Sequence, residues 1–76
     1  MYSTEINING INGAREFVAL TANYPKIKIT LNHNEYEIDA HSIIGILSLD
    51  LSKPIALEAD GPYLDTFIEA LKPFTV

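Results

Sequence analysis

The chain has 76 residues, no cysteine, and 10 acidic against 5 basic side chains, for a formal net charge of −5. One small domain over residues 1–76 is expected, burying about 60% of its unfolded surface, with neither a disulfide nor a thiolate metal site to staple it. The acidic balance disfavours nucleic acid or an anionic membrane as the main partner, no apolar run nears the roughly 18 residues of a membrane span, and the N-terminal segment has neither a basic region nor an apolar signal core, so a cytoplasmic protein is expected.

Residues 2–8 alternate, with Tyr2, Thr4, Ile6 and Ile8 on one face, which is the period of a strand. Residues 13–23 place Ala14, Phe17, Val18 and Thr21 along one helical face. Alternation returns at residues 26–31, with Ile27, Ile29 and Leu31 inward and Lys26 and Lys28 outward. Asn32, His33 and Asn34 are predicted to form a tight turn, because asparagine tolerates left-handed backbone angles. Residues 35–40 give a third strand, with Tyr36, Ile38 and Ala40 opposite Glu35 and Glu37.

Residues 41–54, HSIIGILSLDLSKP, crowd Ile43, Ile44, Ile46, Leu47 and Leu49 together. Periodicity alone does not separate strand from helix in so short an apolar run. Ser42 is a good N-cap and alternation is lacking, which favours a helix. Gly45 weakens either choice by about 1 kcal/mol. One helical face cannot bury all five apolar side chains, so some of that surface is predicted to be exposed. Two accounts stay open: a contact surface, or tighter packing in a small core.

Residues 54–59 form a fourth strand, with Ile55, Leu57 and Ala59 opposite Glu58. Residues 62–72 place Leu64, Phe67, Ile68 and Leu71 on one helical face. Pro62 suits the first helical position, Asp65 lies early, Lys72 lies late, and Pro73 is predicted to stop the helix. Four one-sided strands among three helices imply an α+β open-faced sandwich. In it a four-stranded antiparallel sheet is covered on one face by helices, in the order βαββαβα.

No Ser-His-Asp or Cys-His set and no glycine-rich phosphate loop is visible. His33 and His41 have no carboxylate at ligand spacing. An enzyme, a metal site and a cofactor are therefore not expected.

Three local stretches carry a resemblance. HSIIGILSL, residues 41–49, is similar to a Lys-Ser-Ile-Met-Gly-hydrophobic-Met-Ser-Leu stretch in the histidine-containing phosphocarrier protein (HPr) family of the sugar phosphotransferase system. FVALTA, residues 17–22, resembles that family's first helix, and EADG, residues 58–61, its Ala-x-Gly turn. The likeness covers essentially the whole chain and implies the family's four-stranded sheet with three helices on one face. The family's active-site motif, Asn-Gly-Leu-His-(Thr/Ala)-Arg-Pro-Ala, aligns with NGINGARE, residues 9–16. Asn12 then stands at the position of the phosphorylated histidine, Ala14 at the arginine and Arg15 at the proline. The register can slip by two, and no register restores a histidine. Asn12 is expected to act as a helix N-cap, and Arg15 is a candidate anion or partner contact.

The resemblance also matches Ser42 to a serine that a dedicated kinase phosphorylates in many Gram-positive bacteria, although His41 replaces the usual lysine before it. It places Ile43, Ile44 and Leu47 on a surface that docks onto enzyme I, permease subunits, the kinase and a catabolite-control transcription regulator. The expected function is a regulatory or protein-interaction module in carbohydrate metabolism that does not carry phosphate on histidine. The alternatives are a phosphocarrier with an unrecognised acceptor, or a domain recruited to an unrelated binding role. A homodimer through residues 43–47 also stays open.

Overall fold

The computed structural model describes residues 1–33 and 35–76. Seven main elements follow in the predicted order: β1 Tyr2–Ile6, α1 Gly10–Ala22, β2 Lys28–His33, β3 Tyr36–Asp39, α2 Ile43–Leu47, β4 Ile55–Asp60 and α3 Leu64–Leu71. A 3-10 turn, Lys72–Phe74, continues α3. The strands form one antiparallel sheet in the order β1-β4-β2-β3. Register is set by pairs such as Thr4 with Leu57, Leu31 with Leu57, and Leu31 with Ile38. These pairs put Leu31, Ile38 and Leu57, with Thr4, on one face of the sheet, and a slip of one residue would turn them to solvent.

The helices cover that face. Ile6, Ile29, Leu31, Ile55 and Leu57 from the sheet bury against Phe17 of α1, Ile46 of α2, and Phe67 and Leu71 of α3. Phe17 meets Phe74 edge-on at 5.5 Å between ring centroids, and Tyr24 meets Phe67 at 5.3 Å. The last residues close the β1 edge: Asn7 N–H donates to Phe74 O at 2.8 Å and Val76 N–H to Glu5 O at 3.1 Å. The opposite face of the sheet carries polar and charged side chains such as Lys28, Glu37, Glu58 and Asp60, lining a shallow surface depression.

Several boundaries differ from expectation. β1 ends at Ile6, and Ile8 is buried from the connection rather than from a strand. α1 begins at Gly10 instead of residue 13, because Gly10 takes φ 65° and swings the chain directly into the helix. β2 starts at Lys28, since Ile27 N–H donates to Tyr24 O within a turn, although Ile27 stays buried. Asn32 and His33 belong to β2 rather than to the turn, and Asn34 lies outside the described residues. Tyr36, expected inside, is exposed at the hairpin end of the edge strand β3, which the short α2 does not cover. Pro62 precedes α3, whose N-cap is Tyr63. Pro73 does not stop the chain's helical course, because its fixed φ suits the 3-10 turn that follows α3.

Candidate functional site

The stretch from residue 41 to 49 is a helix, and the packing shows how five residues hold one. Ser42 is the N-cap in extended conformation, and its Oγ accepts from Gly45 N–H at 3.3 Å. A side-chain cap of this kind is worth about 1 kcal/mol. Behind it, the single hydroxyl proton of Thr21 in α1 is shared between Val18 O at 2.9 Å and Ala40 O at 3.2 Å. That buried hydroxyl ties α1 to the segment leading into α2. Asp39 Oδ1 accepts from His41 N–H at 2.9 Å, and Asp39 O from Ser42 N–H at 3.0 Å. Gly45 faces β3 so closely that a Cβ there would lie 2.7 Å from Ile38 Cγ2. The residue that weakens the helix by propensity is therefore the one that lets it dock.

Beyond α2, Asp50 accepts from both the hydroxyl and the backbone N–H of Ser52. These bonds hold its carboxyl below the ordinary carboxylate range.

α2 divides its apolar residues. Ile46 is fully buried and Leu49 nearly so, whereas Ile44 is 81% exposed and Leu47 43% exposed. Ile43, expected on the surface, is half-buried and packs on the core, because it lies three residues before the buried Ile46 on the same side of the helix. α1 packs against α2 and adds Ile11, 60% exposed, to the apolar residues facing solvent. Sequence reasoning missed Ile11 as an exposed apolar residue. The signal was there: a lone apolar residue in the polar run NGING.

Asn12 lies inside the first turn of α1 and is not its N-cap. Asn9 holds that position, without a side-chain cap bond, and Asn9 O accepts from Gly13 N–H at 3.0 Å. The reason is the early start at Gly10. Asn12, Asn7, Asn9 and Glu16 line a shallow cleft of about 310 Å³ beside Pro73 and Phe74. Arg15 is exposed on α1 and does not line it. The cleft thus offers three carboxamides and one carboxylate, without a cation or an imidazole.

Both histidines lie elsewhere. His41 Nε2 is 3.2 Å from Ile27 O, where its ring serves a carbonyl that β3 is too short to reach. His33, at the end of β2, lines a different cleft with Tyr36, Ile38, Ser48, Leu49 and Asp50. Among the described residues no His, Asp and Glu cluster suits a metal ion, and no helix is long and apolar enough to cross a membrane.

A family model described as the PTS HPr component phosphorylation site matches residues 10–75. The fold is similar to the crystal structure of HPr-C-His from Thermoanaerobacter tengcongensis. The TM-score is 0.79 and the identity 28%, over 96% of this chain and 89% of that one. No curated protein matches the sequence. The element order, the β1-β4-β2-β3 sheet and a match running from the start of α1 to the C-terminal bridge make this chain a member of the HPr family of phosphotransferase-system phosphocarriers.

Proposed function

We propose that this member is an interaction or regulatory module that does not carry phosphate on histidine, and that it contacts partner proteins through the exposed apolar residues of α1 and α2. The observation that carries the reading is the makeup of the cleft at the α1 N-terminus. Asn7, Asn9, Asn12 and Glu16 line it with no histidine, and the alignment of residues 9–16 with the family motif sets Asn12 against the motif's histidine. A phosphoryl carrier needs a nucleophilic imidazole, with helix amides and a cation to hold the phosphate. A carboxamide nitrogen is not basic, and a neighbouring carboxylate repels a phosphate.

Ile44 and Leu47 are exposed on one short helix and Ile11 on the helix that packs against it, which supports the contact role, because exposed apolar surface marks interaction sites. Phosphotransferase-system proteins, a regulatory kinase and a transcription regulator are the partners in view. Ser42 is the candidate regulatory site: it is exposed and opens α2. A phosphate there would replace the weak Oγ bond to Gly45 N–H with a charged acceptor at a helix N-terminus.

Two labelling experiments test the reading. With phosphoenolpyruvate and enzyme I the protein should take up no acid-labile phosphate. Stoichiometric uptake would reject the reading, and loss of the label in His33→Ala or His41→Ala would name the acceptor. With a regulatory kinase and ATP, intact mass should rise by one phosphate and Ser42→Ala should abolish the gain. A gain that persists in Ser42→Ala would put the modification elsewhere.

A further inference from the structure

A second cleft opens at the other end of α1, about 20 Å along its 13 residues from the Asn12 cleft. Its volume is about 290 Å³. Tyr24, Pro25, Pro62 and Tyr63 line it, together with Lys26 and Thr66. It shares no lining residue with the cleft at the α1 N-terminus.

Both tyrosines are held in place. Tyr24 packs edge-on against the buried Phe67. Tyr63 follows a turn pinned to the start of β2: Gly61 has φ 143°, and a Cβ there would lie 3.0 Å from both Ile27 Cα and Lys26 O. Tyr63 itself takes φ 61°, and it is the sole residue other than glycine with positive φ among the described residues. A bulky side chain is strained in that region. Tyr63 is 73% exposed and its side chain makes no cap bond to α3. Asparagine or glycine would enter α3 there with less strain. A left-handed backbone thus presents the exposed Tyr63 ring beside the cleft, and tyrosine is among the residues enriched in binding anchors.

The lining says what would occupy it. Pro25, Lys26, Pro62, Tyr63 and Thr66 are all exposed, so the cleft is an open trough. A small molecule in it would stay largely wet, whereas small-molecule sites bury about 70–90% of their ligand. A trough walled by tyrosine and proline suits an extended chain in the polyproline II form, which docks aromatic grooves with little ordering entropy left to lose. Lys26 is the one charged residue of the lining, and it makes no ion pair among the described residues. Its complement in a bound peptide is a carboxylate.

We propose that the trough formed by Tyr24, Pro25, Pro62 and Tyr63 binds a proline-rich peptide in the polyproline II form, with a peptide carboxylate placed against Lys26.

The test is a titration of the isotope-labelled full chain with an acetylated, amidated peptide of proline pairs flanking one glutamate, followed by amide chemical shifts. Saturable shifts are expected at Tyr24, Lys26, Tyr63 and Thr66, with a dissociation constant below about 1 mM. Tyr63→Gly should bind at least about tenfold more weakly while melting no lower than wild type, because it removes the ring and the strain together. Tyr63→Asn should do the same while keeping a residue that tolerates the left-handed angle. Lys26→Gln should bind the glutamate peptide no better than wild type binds its glutamine counterpart.

The proposal is overturned by shifts confined to α1 and α2, or by their absence up to solubility. Equal binding of a glycine-for-proline peptide, or saturation by phenylacetate at the same residues, also overturns it, the latter in favour of a small-molecule site. So does unfolding of both Tyr63 variants, which would make the ring structural.

Discussion

Ile44 and Ile46 are chemically identical, two residues apart on one helix, and opposite in environment. Ile44 is 81% exposed and Ile46 fully buried. Ile44→Asp removes little burial, and an exposed substitution of this kind stays within about 0.5 kcal/mol. For a domain of this size about 1 kcal/mol moves the melting temperature by roughly 4–8 °C. Ile44→Asp should therefore melt within about 4 °C of wild type. Ile46→Ala leaves a cavity in the core and should cost about 2–5 kcal/mol, a drop of at least about 8 °C on the same scale. Total stability of a 76-residue domain is on the order of 4–11 kcal/mol, so that variant sits near the edge of folding. Leu47→Asp falls between them: at 43% exposure about half of a leucine's burial is lost, on the order of 1 kcal/mol. The assay pairs thermal melts by circular dichroism with titration against enzyme I from the same source. Ile44→Asp should keep its melt and lose affinity. If it melts more than about 10 °C lower, α2 docks differently from the description above. If it melts normally and binds as wild type, the exposed apolar residue has no role in that contact.

Gly45→Ala should destabilise despite alanine's better helix propensity of about 1 kcal/mol, because its Cβ would meet Ile38 Cγ2 at 2.7 Å. A net loss of about 1–3 kcal/mol is expected by denaturant melts, partly restored in Gly45→Ala with Ile38→Ala, whereas a more stable Gly45→Ala would refute the close approach. Thr21→Val keeps the shape but leaves Ala40 O without its buried donor, and should cost about 1–3 kcal/mol with faster amide exchange in residues 40–46. Ser42→Ala should lower stability by about 1 kcal/mol even in the absence of any kinase, and an unchanged melt would show that the 3.3 Å contact to Gly45 N–H contributes nothing.

The fold was legible because each strand buries one face and each helix one stripe. Ile29 and Leu31, Ile55 and Leu57, and Phe67 and Leu71 declare their elements by spacing alone, and all six are buried. Element ends were less legible, because backbone events set them. The helix start depends on Gly10 at φ 65°, and the strand start on Ile27 N–H turning back to Tyr24 O. Neither leaves a periodic trace. Tyr36 misled for a related reason: alternation says which side of the sheet a residue faces, and not whether a helix extends far enough to cover it. Ser42 as a cap was readable, since a local hydrogen bond needs only neighbours. Asn12 as a cap was not, since its role turned on a boundary two residues away.

The same distinction applies to the site. Which residues are missing from a motif can be read directly, and the chain contains two histidines, both remote from residue 12. Which residues replace them as neighbours depends on the third dimension. Asn7 and Asn9 reach the Asn12 cleft from the β1–α1 connection, Glu16 from one turn further along α1, and Phe74 from the C-terminal 3-10 turn. Losing an imidazole from such a cleft would by itself leave an idle anion site, as helix amides still favour negative charge. A carboxylate among the lining residues changes the balance, because it repels the anion those amides would attract. On the proposed reading, in which Asn12 stands for the motif's histidine, Asn12 and Glu16 act in the same direction: both would disfavour phosphate at this end of α1, while the exposed Ile11, Ile44 and Leu47 would serve protein contact.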